Sequence, residues 1–264
     1  MKKYFTGFKA QITKHLTYRA RVLIWIFVDM GQFVILPFLW LAIYAGRSDI
    51  RGFTPADIIT YYILMAFISL ASASHAGEYI ERDIRYGELN KGLLRPINYV
   101  LKMCTEGYAY NFLVSLLALP FLIFFSFLFP EYIILPHSFL TLALFVFALV
   151  LAYILSCLFH VIIGFTAFWL EQSGAAMQMR SLLEKIFGGV LAPLTLYPLL
   201  LQDIALYLPF QYIAFFPAQI YLEKIGLNEI FIHFLIAFGW IIFLCLICIF
   251  LWKRGLRRYE APGA

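Results

Sequence analysis

Six long apolar stretches dominate the pattern of hydrophobic and polar positions along the chain. Each reaches the roughly 20 residues that a helix needs to cross about 30 Å of hydrocarbon. Each is continuously apolar instead of alternating at period two, so the pattern predicts helices and not barrel strands. The predicted spans are residues 22–44, 58–76, 105–129, 139–169, 182–201 and 230–252.

Composition agrees with this pattern. Of the 264 residues, 63% are hydrophobic and 13% are charged, which leaves too little polar surface for a water-soluble globule of this size. The chain is therefore expected to be a single all-α membrane domain, residues 1–264, without a soluble domain. The first span has no small-residue cleavage site after a short apolar core, so it is interpreted as a retained helix and not a signal peptide.

The distribution of basic residues predicts the orientation. If the N-terminus is cytoplasmic, 17 lysines and arginines lie inside and 3 lie outside, namely Arg47, Arg51 and Lys224. Because positively charged loops resist translocation, both termini and residues 78–99 are expected in the cytoplasm. The net charge of +5 then reflects this topology and anionic lipid headgroups, and nothing in the pattern indicates nucleic acid.

Three segments are expected to depart from simple spans. Residues 2–19 are predicted to form an amphipathic helix in the headgroup plane, with a solvated basic tail as the alternative. The fifth span, 182–201, contains two glycines and two prolines, which are expected to kink it. Residues 202–228 hold apolar pieces too short to cross, so they are predicted to dip into the outer leaflet and return.

Residues 78–99 are the one long charged passage. Glu78 and Glu81 each precede an arginine by four residues, the spacing that supports an exposed helix. Gly87 can supply the left-handed residue that ends this extension of the second span. A second short helix, 88–94, is then stopped by Arg95-Pro96, because the residue before proline disfavours helix. The pattern alone fits either a solvated loop or a rigid handle that a cytoplasmic partner pushes.

The chain carries no signature of catalysis. GxxxxGK[ST], HExxH and GxSxG are absent, and the five histidines are scattered along the chain. Cys245 and Cys248 have CxxC spacing, but they lie in an apolar helix and are interpreted as packing residues. Asp29, Gln32 and Asn111 are polar residues within spans, which fit either a polar path for cargo or hydrogen bonds between helices. Glu106, near the inner end of the third span, is more simply explained by structural or headgroup contacts.

Two passages resemble a known family. IRYGELNKGLLRP, residues 84–96, resembles the I-R-x-G-x-L-x-x-x-L-L-R-P stretch after the second span of ABC-2 type transporter permeases. LPFQYIAFFPAQIYL, residues 208–222, is similar to the segment before the last span in the six-span bacterial branch. The interfacial helix, the spans and both cytoplasmic termini agree over essentially the whole length.

The resemblance implies a type V exporter permease in the bacterial inner membrane. It implies pairing with a second copy or a related permease, and with a separate cytoplasmic ABC ATPase subunit that binds ATP and magnesium, so that this chain needs no cofactor. The short helix would be the coupling helix, with Gly87 as its corner. Its expected contacts with the ATPase are polar at Arg85, Glu88, Lys91 and Arg95, and apolar at Leu89, Leu93 and Leu94.

Several functions stay open at this point. The leading one is export of a small molecule, peptide or lipid-like cargo, and the nearest alternative is export of a polysaccharide or lipid-linked glycan. A secondary transporter would need ion-coupling residues at the membrane midplane and loss of transport when the proton gradient collapses. A non-transporting membrane scaffold would purify without an ATPase.

Overall fold

The computed structural model describes residues 2–17, 19–127, 130–170 and 173–259. Among these residues there is no β-strand, only an isolated bridge between Ile50 and Phe53. The helices are α1 (Lys2–Thr17), α2 (Arg19–Tyr44), α3 (Pro55–Ser72), α4 (Ala76–Arg85), α5 (Leu89–Leu93), α6 (Tyr99–Phe127), α7 (Phe139–Phe165), α8 (Gly174–Phe187), α9 (Leu199–Tyr207), α10 (Phe215–Tyr221) and α11 (Leu227–Arg258).

Four stretches of the described chain are long and apolar enough to cross a membrane. They are Pro55–Arg85, Tyr99–Phe127, Phe139–Phe168 and Leu227–Arg258, and they correspond to the second, third, fourth and sixth predicted spans. The first predicted span falls in α2, which has 26 residues, although many side chains between positions 19 and 34 lie outside the described part. The all-helical membrane fold is confirmed, while the number of six spans stays a prediction.

The second span does not continue as one helix into the charged passage. Residues 73–75 are non-helical, and Ala73 is extended with φ −62° and ψ 155°. After this break, Ile80 and Ile84 of α4 are buried. The predicted helical extension of the second span is present as α4, a helix joined to α3 by three non-helical residues, 73–75, which we call the joint.

The fifth predicted span is interrupted instead of kinked. Helix α8 ends at Phe187, and α-helix resumes only at Leu199. Two tyrosines of α3 bind carbonyls freed by this interruption, since the Tyr61 hydroxyl donates to Gly189 O at 2.5 Å and the Tyr62 hydroxyl to Leu191 O at 2.7 Å. Side chains of a neighbouring helix thus satisfy a broken backbone, as membrane helices require.

The predicted re-entrant region contains the longest buried run of the described chain. Positions 209–220 are all buried, across a 3-10 helix and α10. Lys224 lies 2.8 Å from the Asp57 carboxylate of α3, and Arg51, in the loop before α3, donates to Tyr197 O, five residues before the region, at 2.9 Å. How deeply the region lies in the outer leaflet stays a prediction.

A second, smaller apolar cluster holds the other end of the bundle together. It includes Ile80, Leu89, Tyr99 and Phe165, and the Trp252 ring stacks on the Tyr99 ring with centroids 5.6 Å apart. This cluster gathers α4, α5, the beginning of α6 and the last turns of α7 and α11. We call this region the α5 end of the bundle.

Helix α1 packs along the first turns of α6 at the α5 end. The Tyr4 hydroxyl accepts a hydrogen bond from Asn98 N at 3.0 Å, and the Phe8 ring lies 5.7 Å from the Phe112 ring. Glu106 lies 3.5 Å from Gln11 Nε2 and 3.7 Å from Lys102 Nζ, so it acts as a contact between helices. The predicted helix at the N-terminus is present over 2–17, whereas its placement in the headgroup plane stays a prediction.

Candidate functional site

The charged passage folds as two short helices joined by a glycine corner. Helix α4 ends at Arg85, and Gly87 follows with φ +72°. A side chain is strained in this left-handed region, which explains why glycine stands there. Helix α5 then makes little more than one turn before Pro96. The corner and the short helix are confirmed as the sequence predicted them.

The three leucines of the predicted docking set have different environments. Leu89 is 0% exposed and belongs to the chain's own second apolar cluster, whereas Leu93 is 43% and Leu94 87% exposed. The prediction that Leu89 contacts a partner is therefore wrong. A helix as short as α5 must bury one face against its own chain to stay attached, and Leu89 lies on that face. Leu93 and Leu94 are left as the accessible apolar side chains of the set.

Sequence reasoning missed Tyr86. Its side chain is 71% exposed, and it stands at the C-cap of α4, directly before the glycine corner. An aromatic residue just before a helix-ending glycine, within an otherwise charged passage, is the signal that could have found it. Tyr86 and Leu94 together give the α5 end exposed apolar side chains on both sides of the corner.

The charged side chains of the passage are mostly engaged within the chain. Lys91 Nζ lies 2.8 Å from Glu88 Oε1, and this hydrogen bond lowers the pKa of the Glu88 carboxyl and raises the pKa of the Lys91 ammonium. The predicted pair of Glu81 and Arg85 is present at 3.5 Å. Both groups of the α5 pair are therefore ionised at neutral pH.

The prediction that Glu78 pairs with Arg82 is wrong. Glu78 lies 3.8 Å from the His75 ring, and Arg82 instead lies 3.5 Å from Asp83 and over the Tyr79 ring. The physical reason is the break at residues 73–75, which places His75 directly before α4 and within reach of the first turn.

Glu81 has a second partner across the bundle. Its carboxylate accepts a hydrogen bond from Ser173 N at 3.2 Å and another from the Ser173 hydroxyl. Ser173 is buried and directly precedes α8. Helix α4 is thereby fastened to the beginning of α8 as well as to α7.

A polar cleft of about 170 Å³ opens beside α5. Its walls come from α1, α4, α5 and the beginning of α6. The charged residues of its lining are Lys14, Arg82, Asp83, Glu88, Lys91, Arg95, Lys102 and Glu106. Five cations face three carboxylates there, so the cleft is positive overall and suits an acidic group of a partner. Arg95, of the predicted contact set, is exposed at its edge.

The candidate polar path is only partly within the described structure. The side chains of Asp29 and Gln32 lie outside the described residues, and their role stays a prediction. Asn111 is buried, and its amide donates to Ala73 O at 2.6 Å. It therefore binds the carbonyl that the joint between α3 and α4 leaves without a helical partner, which is a structural role.

Replacing Asn111 by alanine is expected to lower the free energy of unfolding by about 1–2 kcal/mol, since the half-buried Ala73 carbonyl would lose its donor. The thermal unfolding midpoint in detergent measures this effect. Ser126→Ala on the same helix is the matched control, because the Ser126 hydroxyl binds only Ile123 O of its own helix. Equal shifts for both variants would contradict a special role for Asn111 at the joint.

No group of His, Cys, Asp and Glu side chains suited to a metal ion occurs among the described residues. The candidate site thus consists of the exposed apolar side chains of Tyr86, Leu93 and Leu94 and the positive cleft beside α5.

Comparison with curated proteins and with solved structures gave no match. A family model described as ABC-2 family transporter protein matches residues 30–263, nearly the whole chain. The match covers the joint, the glycine corner, α5 and the buried run at 209–220. The chain therefore belongs to the ABC-2 transporter family.

Proposed function

We propose that the chain is the permease subunit of an ABC exporter and forms half of a translocation pathway for a small molecule, peptide or lipid-like cargo. Its family supports a membrane subunit of an ABC transporter. ATP and magnesium would be bound by a separate cytoplasmic ATPase subunit. A second copy or a related permease would complete the pathway, with six spans per chain, in a bacterial inner membrane with both termini cytoplasmic.

The observation that carries the proposal is the exposed corner at the α5 end. Tyr86, Leu93 and Leu94 project there, while Leu89 anchors α5 to the chain's own core. A helix anchored on one face and exposed on the other can be pushed as a rigid unit. Exposed apolar side chains beside a positive cleft are the features of a protein contact with an apolar centre and a charged rim.

The packing of α4 supports a specific route for the motion. Helix α4 is separated from α3 by the joint at 73–75, but it approaches α7 closely, since a Cβ atom added at Gly164 would lie 2.8 Å from Gly77 O. A displacement of α5 would therefore reach α7 through this close contact, and the joint would let α3 respond separately. The buried run at 209–220, tied to α3, would form the opposite gate.

Affinity purification from native membranes tests the proposal. A tagged chain is expected to retain a nucleotide-hydrolysing protein, and an amine-reactive crosslinker is expected to join that protein to Lys91, whose side chain is 74% exposed. A cysteine placed at Leu135, in the loop before α7, is the control position for a thiol-reactive crosslinker and should give no such product. Purification without any ATPase, or capture only from the Leu135 position, would contradict the proposal.

A further inference from the structure

An apolar groove of about 510 Å³ lies between α1, α6 and α7 at the α5 end. Phe5 and Phe8 of α1 form one wall, Leu101 of α6 lies at its base, and Ile154 and Leu158 of α7 form the other wall. It is separate from the polar cleft, which lies beside α5. The groove is therefore a concave apolar surface at the junction of the N-terminal helix with two helices long enough to cross a membrane.

Two hydroxyls in the lining of the groove donate to backbone carbonyls of the chain itself. The Tyr153 hydroxyl donates to Cys104 O at 2.6 Å, and the Thr105 hydroxyl donates to Lys102 O at 2.9 Å. These two hydroxyls have no proton left to donate, and a polar occupant would lose its own hydrogen bonds with water on entering.

The two long helices beside the groove indicate which kind of molecule can enter it. Its two longer walls belong to Tyr99–Phe127 and Phe139–Phe168, which are candidate membrane spans. A groove open between two spans faces hydrocarbon, and aromatic walls such as Phe5 and Phe8 suit an alkyl chain. A charged cargo or the acidic face of a protein would find no partner there.

We propose that this groove binds one acyl chain of a membrane phospholipid, which stays bound and fills the space between α1 and α7. The bound chain supports α1 from the side that α6 does not cover. The proposal concerns the acyl chain and not the headgroup, since no charged side chain lines the groove. The site does not depend on an ATPase partner, so it can be tested on the permease alone.

The test uses the full chain in vesicles of phosphatidylethanolamine and phosphatidylglycerol, with a trace of phosphatidylglycerol carrying a diazirine midway along one acyl chain. After illumination, mass spectrometry is expected to find the lipid adduct several-fold enriched on peptides covering 101–108 and 153–158. The reference is the peptide covering 242–250 of α11, which has many exposed apolar side chains. A phosphatidylethanolamine probe is expected to give the same pattern.

Ile154→Trp fills the groove and is expected to reduce labelling there to the level of α11. Ile242→Trp, an equally large change at an exposed position of α11, should leave groove labelling unchanged. If Ile154→Trp fails to fold, the distribution of adducts on the unmodified chain still decides the matter. Equal labelling of the groove and α11 would show ordinary bilayer contact only, and protein–protein adducts at the groove peptides would show a second copy there; either result overturns the proposal.

Discussion

Replacing Leu94 by aspartate is expected to release the ATPase subunit while the permease itself stays folded. The Leu94 side chain is 87% exposed, so its own chain loses almost nothing. Burial of a leucine against a partner contributes about 1.5–3 kcal/mol, and each 1.4 kcal/mol is a factor of about ten, so the complex should weaken by about tenfold to a hundredfold. The measurement is the amount of ATPase retained by the tagged permease at equal expression.

Two variants separate docking from folding in this experiment. Leu135→Asp introduces the same charge at a position that is 68% exposed but lies in the loop before α7, and it should retain the ATPase fully. Leu89→Asp places a carboxylate in the buried second cluster and should prevent accumulation of folded protein. Retention of the ATPase by both Leu94→Asp and a Leu93→Asp variant would exclude α5 as the docking element.

Replacing Gly77 by alanine is expected to destabilise the permease by about 3 kcal/mol. A Cβ atom at this position would lie 2.5 Å from His160 O and would also meet the Met177 methyl group. The methionine can move, but the carbonyl belongs to the backbone of α7, so α4 must shift away from it. Thermal unfolding in detergent should show a clearly lower midpoint, and transport should fall with it because α4 and α7 lose their contact.

The matched control is Gly239→Ala in the middle of α11. No atom lies within 4 Å of a Cβ built at Gly239, so nothing has to move. Alanine favours helix over glycine by about 0.5–1 kcal/mol, so this variant should be as stable as the original chain or slightly more stable. A midpoint for Gly77→Ala equal to that of Gly239→Ala would exclude the close approach of α4 to α7.

The passage around Gly87 shows which structural features the local sequence could predict and which it could not. The left-handed corner and the short helix were predictable, because glycine, helix formers and the Arg95-Pro96 stop act within a few residues of each other. The environment of Leu89 was not, since its burial depends on Tyr99, Phe165 and other residues distant along the chain. A leucine on a single helical turn can face either the core of its own chain or a partner. Only the tertiary contacts decide between the two.

The interrupted segment at 188–198 is a similar case. Its glycines and prolines predicted a departure from straight helix, but the size of that departure depended on whether freed carbonyls could find donors. Tyr61 and Tyr62, more than a hundred residues earlier, supply them. The helix is interrupted and not merely kinked because hydroxyl groups of another helix bind the carbonyls that the interruption frees.

The sequence by itself determined that this protein is a helical membrane protein with a glycine corner in a charged passage, since apolar length and local backbone preference are properties of short stretches. Only the tertiary structure decided that α4 is separate from α3, that Leu89 points inward, and that Tyr86 and Leu94 are exposed. Those outcomes depend on which distant surfaces meet, and close packing between helices is fixed by atoms that no single stretch contains.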